Sequence, residues 1–453
     1  MREDHRIQRT LTESWLELPY AKELEAIDRL LIDQPTIGKL AAQDLSSGRR
    51  DRGRRGMTGE EVIRALVLKQ MNQYSYAELH FQLHDSQSAR AFVGYGLGDE
   101  PPSRSALAAN IKRISPDTFQ EINRVVLKVA QECGVEKGRK VRVDTTAVDS
   151  NIHPPIESDQ LWDVVRVLVR LMGSARELAG HELTIVFADR KRRAKRRALG
   201  AWNAKTKVRR RQQYRDLLKV TQEVMDAARR VSDQLGGWSA PDLMTGLKAA
   251  GLKAEIDRIM PLANRLCDTT IRRVINGESV PSTEKVLSIF EEHTDVIVKD
   301  NRNTHYGHKI CLTGGQSSMI LDCRVLDGNP ADSTLVEQSI EAQKQIYGRP
   351  PRQIAFDGGF ASRDNLEKTK SLGVKDVMFS KRRGLEISDM AKSTWVYRRL
   401  RDFRAGIEGC ISFLKRGFGL DRCSWRSLRS FKAYVQASVL SFNLLVLARH
   451  LIT

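Results

Sequence analysis

A predicted helix near the carboxyl end of the chain carries one acid and several bases at a spacing that suits phosphate chemistry. The helix covers Leu400–Leu420 and holds Glu408 between Arg404 and Lys415. At about 100° per residue these groups, with Arg401, share a narrow arc beside an apolar arc. A solvent-facing helix with intrahelical ion pairs explains this stripe equally well. The helix alone therefore leaves both interpretations open.

Two aspartates, each near the end of a predicted strand, could give Glu408 partners. Lys140–Thr146 alternates and is rich in β-branched residues, which predicts a strand with Asp144 near its end. Arg352–Phe356 predicts another strand, which delivers Asp357 into a Gly-Gly turn. If these strands are neighbours, the carboxylates converge and the late helix can bring Glu408 to them. Each aspartate taken alone is also explained as a residue that shapes a turn.

The chemistry of such a cluster follows from its donor atoms. Three oxygen ligands without histidine or cysteine suit Mg²⁺ or Mn²⁺ and not zinc. Two such ions, held about 4 Å apart, activate the attacking oxygen and stabilise the leaving oxygen of a phosphodiester displacement. Positive charge on Arg404 and Lys415 would meet phosphate or accumulating charge. A further acid, Asp332 in the run Asn-Pro-Ala-Asp, is interpreted as the cap of a helix over Ser333–Tyr347.

The elements that must position these residues divide the chain into three predicted regions. Residues 1–135 are predicted to be an all-helical, DNA-binding domain, with short helices and tight turns that suit a helix-turn-helix-like module. A flexible linker, Ser46–Gly56, lies within it, and Thr58–Glu61 after the linker predicts a capping box that opens a helix. An all-helical packing domain without DNA contact is the alternative. Residues 136–160 and 294–453 are predicted to form a mixed α/β catalytic core around one sheet.

The third region, residues 161–293, is a predicted helical, basic insertion with breaks at Gly180, Gly236-Gly237 and Gly251. Within it Arg190–Arg215 contains many basic residues and no acid. A basic helix of this kind can follow a phosphate backbone. A solvated helical arm or coiled-coil hairpin is the alternative. The residues expected to contact DNA here are Lys191, Arg192, Arg193, Arg196, Arg197, Arg209, Arg210 and Arg211.

Composition limits the class of partner and the compartment. The chain has 453 residues and a net charge of +19, which favours a polyanionic partner, most often nucleic acid. Its six cysteines are scattered without a zinc-ligand pattern or a disulfide framework, so a reducing cytoplasm is expected. No secretory signal is visible at the N-terminus. The apolar segment Ala433–Ala448 is interrupted by polar residues and predicts a packed C-terminal helix, not a membrane span.

Four motifs together resemble the DDE-type insertion-sequence transposases, which have an RNase H-like catalytic core. The segment VRVDTTAVDSNIHPP resembles the strand that carries their first catalytic aspartate, and IAFDGGFAS resembles the strand of the second aspartate. The segment HYGHK resembles an element that lies before their second strand. RDFRAGIEGCISFLKRGFGL resembles their signature Tyr-x2-Arg-x3-Glu-x6-Lys, with Arg404, Glu408 and Lys415 at the last three positions. Arg401 stands where the pattern has tyrosine, and it is also expected to contact DNA. Within the group the chain looks most like the ISNCY-type bacterial transposases.

This resemblance implies a metal-binding catalytic triad of Asp144, Asp357 and Glu408. It also implies that Arg404 and Lys415 contact terminal phosphates, and that cleavage at element ends is followed by strand transfer. The expected partners are double-stranded DNA, as terminal inverted repeats and as target, and a second copy of the chain in the DNA complex. Two alternatives remain open: an RNase H-like nuclease that cuts without joining, and a domesticated DNA-binding regulator.

Overall fold

The computed structural model describes residues 18–46, 56–96, 98–299 and 303–452. Most of the predicted linker Ser46–Gly56 lies outside these ranges. Two compact units are present: Met1–Asn151 with Asp295–Thr453, and Ile152–Thr294. Each unit has its own apolar core. The N-terminal helices therefore belong to the same compact unit as the sheet.

Five of the seven N-terminal helices of the first unit have a side-chain cap at their start. Thr58 and Glu61 form the predicted capping box, each side chain accepting the other residue's backbone N–H. Ser75 and Glu78 repeat the arrangement one helix later. The helices are α1 (Pro19–Asp33), α2 (Pro35–Leu45), α3 (Gly59–Met71), α4 (Tyr76–Asp85), α5 (Gln87–Val93), α6 (Arg104–Arg113) and α7 (Pro116–Glu132).

One mixed sheet of six strands forms the centre of this unit. The strands are β1 (Lys140–Asp149), β2 (Asp295–Lys299), β3 (Asn303–Gly314), β4 (Ile320–Val325), β5 (Gln353–Phe356) and β6 (Asp376–Phe379). β1 pairs antiparallel with β3 and parallel with β5, and β5 pairs parallel with β6. β2 and β4 pair antiparallel with opposite ends of β3. This mixed sheet confirms the predicted α/β core.

The remaining helices of the first unit cover the sheet. They are α12 (Val336–Tyr347), α13 (Arg363–Ser371), α14 (Ile387–Met390), α15 (Thr394–Phe418) and α16 (Leu428–Ile452). α15 is the predicted acid-bearing helix, and it starts earlier than the sequence indicated. Gly419 ends it in a left-handed conformation at φ 68°, whereas Gly417 lies inside the helix. α16 is long and apolar enough to cross a membrane, yet most of it is buried in the core, as predicted for a packed helix.

The second unit, residues 152–294, contains helices joined by irregular segments, and these residues form no strand. The helices are α8 (Glu157–Ala179), α9 (Lys191–Trp202), α10 (Lys207–Gly237) and α11 (Leu243–Thr270), followed by a π-helical turn at Ile271–Asn276. The predicted breaks at Gly180 and Gly236-Gly237 are confirmed. The predicted break at Gly251 is wrong, because Gly251 lies inside α11. The tolerated glycine shows that packing of the helix outweighs its low helix propensity.

Candidate active site

The register of two parallel strands brings Asp144 and Asp357 together. Val143 on β1 pairs with Phe356, the last residue of β5, and each of the two is followed directly by an aspartate. The prediction that the two strands are neighbours is therefore confirmed. Asp144 is the fifth residue of a ten-residue strand, so its expected position near the strand end is wrong. β1 is longer than predicted because it continues along β3 as far as Asp149.

A single arginine on α15 contacts all three predicted acids. Arg404 Nη2 lies 3.0 Å from Asp144 Oδ2 and 3.2 Å from Asp357 Oδ1. Its other terminal nitrogen, Nη1, lies 2.6 Å from Glu408 Oε1, one helical turn away. The Arg404 side chain is only 16% exposed. The alternative of a purely solvent-facing stripe is thereby excluded for Arg404, which is held against the sheet.

The three acids differ in exposure. The Asp144 side chain is 14% exposed, that of Asp357 42% and that of Glu408 63%. Asp144 also accepts the backbone N–H of Thr145 at 2.7 Å. The two aspartates are thus fixed by the sheet, while Glu408 reaches the cluster from a helix surface.

The charge state of Asp357 is set by opposing effects. Burial by itself would raise the pKa of this carboxyl group. The Ser380 hydroxyl donates a hydrogen bond to Asp357 Oδ1 at 2.7 Å, which lowers the pKa. The backbone N–H of Gly358 and the positive charges of Arg404 and Lys381 lower it as well. Together they bring the pKa of Asp357 below its usual value. The carboxylate is therefore ionised, as a metal ligand must be.

The donor set fits a hard divalent cation. Asp144 and Asp357 each present an oxygen to one and the same nitrogen atom of Arg404, and Mg²⁺ and Mn²⁺ prefer carboxylate oxygens. As the side chains stand, no three acidic, histidine or cysteine side chains of the described residues are grouped closely enough to hold an ion. The three acids contact the Arg404 guanidinium and do not surround a common point. A cation at this point would replace the contacts that Arg404 now makes.

Two other predicted residues of α15 do not join the cluster. Lys415 Nζ lies 3.6 Å from Asp421 Oδ1. Arg401 is exposed, and its Nε lies 3.9 Å from Asp402 Oδ1. Both residues remain on the same helix as Glu408, so their expected contacts with DNA stay predictions.

Asp332 is a residue whose position the sequence did not reveal. It was expected to cap a helix, but it forms no side-chain cap and begins a short 3-10 turn, Asp332–Leu335. Its Oδ1 lies 2.6 Å from Lys309 Nζ and accepts from the Thr145 hydroxyl at 3.1 Å. The capping interpretation is wrong because pairing with the nearly buried Lys309 competes with it. No local pattern showed that Lys309 on β3 would face this loop.

The basic segment of the second unit forms a helical hairpin of α9 and α10. Arg193 and Arg197 both donate to the Asp216 carboxylate, which joins the two helices. The other expected DNA-binding residues are exposed, namely Lys191, Arg192, Arg196, Arg209, Arg210 and Arg211. His153, near the start of the same unit, pairs with Asp163 on α8 at 2.7 Å. The hairpin therefore presents most of its positive charge to solvent.

Comparison with known families places this geometry in a class. Residues 295–444 match the model of the transposase DDE domain, and residues 17–113 match that of the transposase domain (DUF772). No curated protein and no solved structure matches the chain. The first match includes Asp357 and Glu408, and the sheet register adds Asp144, which precedes it.

Fold, acid cluster and family matches together define an enzyme that cleaves DNA and transfers strands with the help of a divalent metal. The chain is a DDE-type insertion-sequence transposase. The predicted class is thereby confirmed, whereas the matches do not extend to the ISNCY type, which stays a prediction.

Proposed function

We propose that this transposase binds the terminal inverted repeats of its element, cuts at the element ends and joins them to target DNA. The observation that carries the proposal is the convergence of Asp144, Asp357 and Glu408 on the Arg404 guanidinium. Arg272, in the second unit, also pairs with three carboxylates, but these come from one short stretch of the chain, Asp268–Glu284.

In this proposal Asp144, Asp357 and Glu408 hold two Mg²⁺ or Mn²⁺ ions. Bound there, the ions supply activation of the attacking oxygen and stabilisation of the leaving one. The exposed Glu408 is free to turn from Arg404 toward the aspartates, because its side chain faces solvent. Arg404, released from the carboxylates, donates to the phosphate at the reacting position, and Lys415 donates to a neighbouring phosphate.

The other regions supply binding. The helices within residues 1–135 bind the inverted repeats. The exposed lysine and arginine side chains of the α9–α10 hairpin bind the phosphate backbone of DNA. Lys191, Arg192, Arg196, Arg209, Arg210 and Arg211 support this role through their exposure, and Arg401 extends the basic face of α15. A homodimer pairs the two ends. Six free thiols agree with action on DNA in the bacterial cytoplasm.

The test uses the full chain and a supercoiled plasmid that carries the DNA flanking the reading frame. We expect Mg²⁺-dependent cleavage at the repeat ends and a joined product with a second plasmid. Glu408→Gln should keep repeat binding and abolish cleavage, whereas Asp402→Asn, a neighbouring exposed acid on α15, should behave as wild type. Full cleavage by Glu408→Gln would exclude the triad. Cleavage without any joined product would instead identify a nuclease.

A further inference from the structure

A second arginine, Arg142, lies beneath the acid cluster and belongs to no part of the mechanism described so far. It is on β1, two residues before Asp144 and on the same face of the strand. Only 5% of its surface is exposed, and within the described residues it pairs with no carboxylate. A buried guanidinium without a counter-ion is costly. The contacts of the Arg142 side chain must therefore offset this free-energy cost.

The contacts of Arg142 all lead to α15 or to the turn before β4. Nη1 donates to the backbone carbonyl oxygen of Phe403 at 2.8 Å. Nη2 donates to the Ser318 hydroxyl at 3.2 Å and lies 3.6 Å from the Cys410 sulfur. The guanidinium also stacks on the Phe403 ring, 4.6 Å from its centroid. Phe403 directly precedes Arg404, and Cys410 lies two residues beyond Glu408.

Two glycines allow the helix to approach this closely. A Cβ at Gly406, in the middle of α15, would overlap Arg142 Nη1. A Cβ at Gly314, on β3, would lie 2.7 Å from Ile407 Cδ1 and 3.4 Å from Arg142 Nε. Glycine inside a helix costs stability, so its presence at position 406 has a packing reason. The guanidinium of Arg142 fills the space beside Gly406, and Ile407 with the Arg142 side chain fills the space beside Gly314.

We infer that Arg142 is a positioning residue that sets the register of α15 on β1. Its bonds fix the helix at Phe403 and Cys410, on either side of the segment that carries Arg404 and Glu408. The segment thereby faces Asp144, which Arg142 precedes on the same strand face. This role rests on the proposed function, because it concerns the placement of the proposed metal ligand Glu408.

The experiment compares Arg142→Met, Arg142→Lys and Gly406→Ala in the full chain. We expect Arg142→Met to weaken Mn²⁺ binding, measured by the spin-resonance signal of the free ion, by about 10- to 100-fold, as for other residues that orient metal ligands. Amide exchange in Leu400–Cys410 should become faster, and repeat binding should be unchanged. Arg142→Lys should recover only part of the loss, because a lysine cannot form the planar fork. Gly406→Ala should act in the same direction by displacing the helix.

Arg64→Met is the matched control, because Arg64 is also a buried arginine that stacks on a phenylalanine, Phe92, but lies among the N-terminal helices. It should lower stability and leave Mn²⁺ affinity unchanged. Wild-type Mn²⁺ affinity and wild-type exchange in Arg142→Met would overturn the inference. If the wild-type chain shows no Glu408-dependent Mn²⁺ binding, the proposed function fails. Amide exchange in Leu400–Cys410 then decides the role of Arg142 by itself.

Discussion

Arg404 Nη2 lies 3.0 Å from Asp144 Oδ2 although the two residues are 260 positions apart in the chain. The contact joins the central strand of the sheet to α15 and orders the cluster. Under the proposed function, Arg404 exchanges these carboxylates for the phosphate of a bound DNA.

Replacing Arg404 with glutamine should separate its two roles. Without the guanidinium the three carboxylates repel one another, so we expect the metal-free protein to lose about 2 kcal/mol of unfolding free energy. Mn²⁺ affinity should rise, because the competing cation is gone, while DNA cleavage should fall. Chemical denaturation and Mn²⁺ titration measure both effects. Arg401→Gln, which removes an exposed arginine from the same helix, is the control for stability and Mn²⁺ affinity. Weaker Mn²⁺ binding in Arg404→Gln would contradict the prediction.

Removal of the Ser380 hydroxyl should raise the pKa of Asp357. Burial pushes this pKa upward, and the hydrogen bond from Ser380 is the first of the effects that outweigh burial. Since the folded-state pKa is lowered, the hydrogen bond stabilises the fold above the ordinary aspartate pKa, about 3.9. That contribution is lost as pH falls through the folded-state pKa. Carboxyl-carbon NMR titration of metal-free Ser380→Ala checks the shift, with exposed Ser371→Ala as control.

Exposed and paired arginines of the α9–α10 hairpin should differ in their effect on DNA binding. Arg192 and Arg196 are exposed and form no ion pair among the described residues, whereas Arg193 and Arg197 bind Asp216. We expect Arg192→Ala with Arg196→Ala to lower the salt slope of binding by about one for each lost phosphate contact. Arg193→Ala with Arg197→Ala should mainly destabilise the hairpin. Equal salt slopes for the two double variants would argue against the hairpin as a DNA-binding surface.

The buried and charged Lys69, on α3, should lower the free energy of unfolding at neutral pH. Burial, and then the charge of Lys112, lower the pKa of Lys69 to about 8. The unfolded chain keeps this proton to about pH 10.4, so wild-type stability should rise between pH 8 and pH 10. Lys69→Met should therefore be more stable than wild type at pH 7, by roughly 1–3 kcal/mol, and lose this advantage by about pH 10. Chemical denaturation at several pH values tests this prediction. In Lys112→Met the pKa of Lys69 should be higher, so the rise in stability should begin at a higher pH than in the wild type.

Much of the site was predictable because its signals are local. Alternation and β-branching identified the strand of Asp144, and the short run before Asp357 and its Gly-Gly turn identified the other strand. The capping box at Thr58 fixed the start of α3. The spacing of Arg404 and Glu408 on one helix face follows from helix geometry alone. Each of these inferences needed only residues within one element.

What the sequence by itself determined is therefore the type of most elements, and it singled out the three acids that the fold brings to Arg404. Only the tertiary structure decided how they meet: the parallel register of β1 and β5, the docking of α15 by Arg142, and the pairing of Asp332 with Lys309. These contacts join residues far apart in the chain. Their energy depends on burial and on the geometry of facing elements, which no local pattern records.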